Sequence, residues 1–117
     1  MMRSGARLPE ELDVLLEDAF VMRDRRAVMA LFESYALVAD GTAQEARGVR
    51  EIASWAAEAW SSGLTYVAGA PRVLQARDIA LVLTPHGIGV VHRDGDRAWR
   101  YAIALLSFDD TTAKEEK

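Results

Sequence analysis

"VVHRDGDRAWRYAIALLS", residues 90–107, decides the fold of this chain. The strand that starts at Ile88 runs to Arg93, and Asp94-Gly95-Asp96 then reads as a hairpin turn because Asp-Gly favours positive φ. Trp99 to Phe108 follows as a last strand. Working back toward the N-terminus, Pro85-His86-Gly87 is a second turn and Asp78 to Leu83 is a strand before it. Leu64 to Arg77 is β-rich, with Gly69-Ala70-Pro71 as a bulge or bend. Three strands joined by short turns make an antiparallel meander.

The first half has a different period. Leu8, Leu12, Leu15, Leu16, Ala19 and Phe20 recur at helical spacing and predict one apolar stripe. Pro9 suits the first turn of that helix, and Glu10, Glu11 and Asp13 suit its positive end. Asp24 reads as the N-cap of a second, short helix with Val28, Leu31 and Phe32 on its buried side. Tyr35 to Ala39 reads as a short strand. Gly48 opens a third helix, in which Val49, Ile52, Ala53, Ala56, Ala59 and Trp60 share a face, and Ser62-Gly63 ends it. Helices followed by strands predict an α+β fold in one domain over residues 1–117, with its core in 8–108.

Composition narrows the function classes. Half of the 117 residues are hydrophobic, enough for a real core, and charge balances hydrophobicity well enough to argue against disorder away from the ends. The tail "DDTTAKEEK", 109–117, is polar and expected to fray. There is no cysteine, which removes disulfides and thiolate metal sites and permits a reducing, cytoplasmic setting. The net charge is −4, and arginines alternate with acids as in Arg23-Asp24-Arg25-Arg26. That is a mixed-charge solvated surface rather than the basic stripe of a nucleic-acid binder. No apolar run approaches the ~20 residues of a membrane span, and "MMRSGARLPEE" lacks the apolar stretch of a secretory signal.

Several stretches, in order, resemble the nuclear transport factor 2-like superfamily, which includes SnoaL-like polyketide cyclases and ketosteroid isomerases. "LLEDAFVMRDRRAVMALF", 15–32, is similar to the opening helix pair. "ARGVREI", 46–52, is similar to the glycine and start of the third helix, and 90–107 to the final hairpin with its Trp-Arg pair. The resemblance covers about residues 8 to 108. It implies a cone-shaped, bent antiparallel sheet packed on three N-terminal helices, with a pocket at the open end. It also implies a homodimer formed through the outer face of the sheet.

Asp40 comes first among the candidate residues. Counted from "ALF", it falls where ketosteroid isomerases place their general base, and a carboxylate shielded by apolar walls can shuttle a proton beside a carbonyl. Asp40-Gly41 is equally a good turn. The donors that the isomerase reaction needs, a first-helix tyrosine and a protonated late-strand acid, are replaced here by about Leu16 and by Ala102-Ile103-Ala104-Leu105. His92 shares a strand side with Val90 and lies opposite Val91; it is read as an acid–base partner or as a structural residue. His86 reads as a turn residue. With two separated histidines and no cysteine, no metal-ligand spacing appears, and no cofactor is expected. Arg47 reads as an anion-orienting group before the third helix or as a surface ion pair. Phe20, Trp55, Trp60, Tyr66, Trp99 and Tyr101 are expected either to line a ligand cavity or to pack a core or a dimer interface. Trp99 and Tyr101 share one strand face, with Arg100 opposite.

Two readings of function follow. One is a SnoaL-like domain that binds a small apolar or aromatic molecule, with Asp40 and His92 transferring protons in an isomerase- or cyclase-type reaction. The other is a non-catalytic homodimeric domain whose cone is filled by side chains such as Phe20, Met22 and Met29.

Overall fold

A computed structural model describes residues 5–42 and 44–110. The expectation for the tail beyond residue 110 lies outside the described residues. Three helices, α1 (Glu11–Met22), α2 (Arg25–Ala30) and α3 (Val49–Ser61), accompany eight strands. The strands are β1 (Phe32–Asp40), β2 (Glu45–Arg47), β3 (Leu64–Thr65), β4 (Arg72–Ala76), β5 (Ile79–Thr84), β6 (Gly87–Arg93), β7 (Trp99–Leu106) and β8 (Asp109–Asp110). Six strands form one open sheet in the order β2-β1-β7-β6-β5-β4, and β3 pairs with β8 in a separate ribbon. The architecture is α+β as expected. No helix among the described residues is long and apolar enough to cross a membrane.

Local chemistry explains the helix ends. Asp24 caps α2 as predicted, its carboxylate accepting the Ala27 N–H at 3.1 Å. Gly48 precedes α3 at φ 86°, ψ 157°, a region that a side chain would strain. Glu51 in the first turn of α3 then reaches back to accept the Arg47 N–H at 2.8 Å. Arg23 ends α1 in the left-handed conformation, and its N–H is taken up by the carbonyls of Ala19 and Phe20.

The meander β4-β5-β6-β7 is antiparallel throughout, as the turns predicted. The sheet as a whole is mixed, because β1 lies parallel to β7, with Leu37 opposite Ile103 and Asp40 opposite Leu106. The chain reaches that pairing by crossing over through α3 and the meander. β1 is nine residues long rather than the predicted short strand from Tyr35, since α2 stops at Ala30 and the chain extends at once. The predicted β-rich run from Leu64 to Arg77 splits at residues 66–71 into two short strands in two sheets. In the β6–β7 turn the left-handed residue is Arg97, at φ 67°, and not Gly95; Arg97 donates its N–H to the Asp94 carbonyl.

Burial alternates along the strands and defines two faces. Val82 on β5, Val91 on β6, Trp99, Tyr101, Ala104 and Leu106 on β7, and Ala36 and Val38 on β1 are all buried. With Leu12, Leu16, Phe20, Val28 and Ile52 from the helices they form one core. Gly89 belongs to that face for a steric reason: a Cβ there would stand 2.6 Å from the Tyr101 ring.

Candidate functional site

Of the six rings expected to wall a ligand chamber, five pack against other rings, and Trp99 lies buried beneath the Arg93 guanidinium at 5.3 Å. Phe20 on α1 is the centre, with ring centroids 5.7 Å from Trp60, 5.3 Å from Phe108, and 6.4 Å from both Trp55 and Tyr66. Tyr101 stacks on Phe32 at 5.1 Å. Among the described residues, four clefts open to solvent include Trp55 in two of their linings but not Phe20, Trp60, Tyr66, Trp99 or Tyr101. Of the side chains expected to fill the cone, Phe20 does so; Met22 is 73% exposed and points away.

Asp40 ends β1 on the inner side, level with Leu106. Its Oδ1 accepts the Thr42 N–H at 2.9 Å and the Thr42 hydroxyl at 2.5 Å, and its Oδ2 accepts the Trp55 indole N–H at 3.2 Å. Partial burial pushes this carboxyl up, but the donors of Thr42 and Trp55 outweigh it and hold the group below the ordinary aspartate range. Asp40 is thus a turn carboxylate that also anchors an indole. A base needs the opposite tuning, toward neutral pH. Beside it lies an open cleft of about 190 Å³, lined by Asp40, Trp55, Glu58, Leu64 and Phe108 among others.

His92 is not brought to Asp40. Val91 is fully buried, so strand alternation turns His92 to the outer face. There its Nδ1 lies 3.0 Å from Asp94 Oδ1 and 3.5 Å from Glu33 Oε2. Arg100, on the same outer side of β7, donates to Asp94 Oδ2 at 2.7 Å and to Asp96 Oδ2 at 2.7 Å. Burial, and next the Asp94 charge, raise the Glu33 carboxyl above its ordinary value. Arg47 is the surface ion pair of its two readings, 3.9 Å from Glu45.

The polar group most deeply placed in the core is one that sequence reasoning missed. Asp13 on α1 is fully buried. The Tyr66 hydroxyl donates to its Oδ1, and the Gly69 N–H donates to its Oδ2 at 2.8 Å. Burial, then the bond to the Asp13 carboxylate, raise the Tyr66 hydroxyl far above the usual phenol range. Thr84 Oγ1 sits 3.4 Å from that hydroxyl and accepts the His86 N–H at 3.1 Å. The His86 ring packs edge-on to Tyr66, so His86 is more than a turn residue. By sequence Asp13 reads only as an acid suited to the positive end of α1. Its spacing, three before Leu16 and seven before Phe20, was the available signal that it faces inward.

No family model matches the chain, and no curated protein matches it. Solved structures do. A protein of unknown function with a cystatin-like fold from Nostoc punctiforme superposes with a TM-score of 0.72 at 14% identity, over 85% of this chain and 86% of that one. A ketosteroid isomerase-like protein from Erwinia carotovora atroseptica gives 0.70 at 18% identity, over 85% and 92%. An NTF2-like protein with a cystatin-like fold from Novosphingobium aromaticivorans gives 0.69 at 16%, over 90% and 82%. Likeness at such identities is likeness of fold, and it agrees with the resemblance read from the ordered helix and hairpin segments. This chain shares the cystatin-like fold of these solved structures.

Proposed function

We propose that this chain is a homodimeric association domain, with two copies meeting through the outer faces of their sheets and the cone closed by its own side chains. The observation that supports this reading is the outer face itself. Leu74, Ile79, Ile88, Ile103 and Leu105, from four adjacent strands, are each 45–52% exposed, and Tyr35 on β1 is 64% exposed. Five strands at ~4.8 Å spacing, each over about six residues, give a face on the order of 400 Å², the size at which apolar surface marks an interaction site.

A second copy is the occupant that fits. The chain carries a net charge of −4, so like copies repel except through a face whose middle is uncharged. The face is also self-complementary. Tyr35 projects near one lateral edge, and a hollow of about 360 Å³ lined by Leu74, Ile79, Leu81 and Val90 lies near the other. Both sit at the same level along the strands. A two-fold axis parallel to the strands would bring the Tyr35 of each copy over the hollow of its mate.

Proton transfer by Asp40 and His92 gains no such support, because the two lie on opposite faces and Asp40 is tuned away from neutrality. The open cleft at Asp40, at about 190 Å³, is smaller than the ~300 Å³ at which small-molecule pockets begin.

The test is the mass in solution. Light scattering at 10–100 μM concentrations (about the working range of weak to moderate dimers) should give a dimer for the wild type and a monomer for Ile103→Lys, with unchanged far-UV circular dichroism. A monomeric wild type would overturn the reading. A thermal shift with small ketones or aromatic acids, lost in Asp40→Asn, would restore the ligand-binding reading in its place.

A further inference from the structure

We propose that Glu33, His92 and Asp94 bind one divalent transition-metal ion, of the Zn²⁺ type, at the outer end of the β1-β7-β6 surface. The three ligand atoms are Glu33 Oε2, His92 Nδ1 and Asp94 Oδ1. They lie within 4.8 Å of one another. The two contacts to the imidazole nitrogen are 3.0 and 3.5 Å. Tetrahedral ligands held at 2.0–2.1 Å from a zinc ion stand ~3.3 Å apart, and the two spacings to the imidazole nitrogen lie on either side of that value. One further position would remain open.

An independent feature points to a ligand. Glu33 is only 8% exposed, and its Oε2 is buried with no hydrogen-bond partner. A buried carboxylate oxygen left unpartnered is costly, and buried charges are normally paired or placed on a metal. That oxygen is aimed at the imidazole of His92, which is its near neighbour at 3.5 Å.

Charge and support agree with a dication. The carboxylates of Glu33, Asp94 and Asp96 outnumber the single guanidinium of Arg100 around the site. Arg100 donates to Asp94 Oδ2 at 2.7 Å, while Asp94 Oδ1 lies 3.0 Å from His92 Nδ1. Asp96 in turn accepts from the other guanidinium nitrogen at 2.7 Å. One imidazole nitrogen with two carboxylate oxygens suits Zn²⁺ or Co²⁺; Ca²⁺ and Mg²⁺ demand six or more oxygens. Sequence spacing alone hides the set, because Glu33 comes from β1, 59 positions before His92. All three ligands belong to one chain, so the site does not depend on the dimer.

The experiment is titration of the untagged, full-length chain with Zn²⁺ by calorimetry, and with Co²⁺ by visible absorption. The expected result is one ion per chain, with the intense visible bands of low-coordinate Co²⁺. Glu33→Gln and His92→Ala should each weaken binding at least tenfold and lose those bands, while excess Mg²⁺ should not compete. His92 is 44% exposed at its side chain, so His92→Ala keeps the test decisive if Glu33→Gln lowers the yield of folded protein. No binding by the wild type, or equal binding by His92→Ala, would overturn the proposal.

Discussion

The inner face of the six-stranded sheet presents Val82, Val91, Tyr101, Ala104 and Leu106 to the helices, whereas its outer face presents Leu74, Ile79, Ile88, Ile103 and Leu105 to water. Both faces are apolar, yet only one is covered within a single copy. The deeply buried carboxylate of Asp13 is on the covered side, and the large exposed hydrophobics of the sheet are on the other. The contrast teaches that the inner side is a finished core, polar pair included, and that the outer side is the apolar surface on which the proposed dimer rests.

The strongest way to break this comparison is at the buried pair. Tyr66→Phe removes one of the two donors to Asp13 and leaves a fully buried carboxylate with the Gly69 N–H alone. The expected loss is about 3 kcal/mol, read as a lower urea midpoint with an unchanged slope. Asp13→Leu combined with Tyr66→Phe should cost less than the two single losses added together, by at least ~1 kcal/mol, because the second change then strands no charge. Strictly additive losses would show that the pair is not coupled.

A middle-sized effect belongs to Asp40. Asp40→Asn should cost about 1 kcal/mol at pH 7, a figure kept low because the turn is partly solvated. The folded-state carboxyl is held below the ordinary aspartate value of 3.8, so its contribution is complete above that pH. It fades as the pH falls through the lower, folded value. The gap between wild type and Asp40→Asn in thermal midpoint should therefore close in acid and stay constant from pH 5 to pH 8. A gap that widened in acid would contradict the geometry at Thr42 and Trp55.

The smallest expected effect on stability is on the outer face. Ile103→Lys should change the unfolding free energy of the isolated monomer by no more than ~0.5 kcal/mol, since its side chain is already half exposed. Compared at a low protein concentration where both variants are monomeric, wild type and Ile103→Lys should give matching denaturation curves. A loss of several kcal/mol there would mean that Ile103 belongs to the core of one copy.

Elements with local signals were legible in the sequence. Asp24 caps α2 through a bond to a residue three positions on, and the Asp-Gly and Pro-His-Gly turns fix the meander through contacts a few residues long. What sequence could not supply is registration between distant segments. Asp13 meets Tyr66 across 53 positions, and Glu33 meets His92 across 59. Neither meeting has a periodicity that names the partner. The parallel pairing of β1 was hidden for the same reason, because alternation within a strand says which side faces inward but not which neighbour lies alongside. The sequence leaves the aromatic residues open between lining a cavity and packing a core or an interface. Whether they surround space or fill it depends on ring-to-ring distances that only the folded chain sets.

The parallel pairing of β1 with β7 also constrains the order in which the chain can mature. Residues 32–40 find their central neighbour only in residues 101–106, after α3 and the meander have been made. On a ribosome, the first helices and β1 must wait with one edge of β1 unpaired until nearly the whole described chain has emerged. Contacts of such long sequence separation close slowly, and an unpaired apolar strand is sticky while it waits. Fragments that stop short of β7 would therefore retain helix-forming sequence but lack the strand that completes the fold, and a separate peptide spanning residues 97–110 is the piece able to complement them.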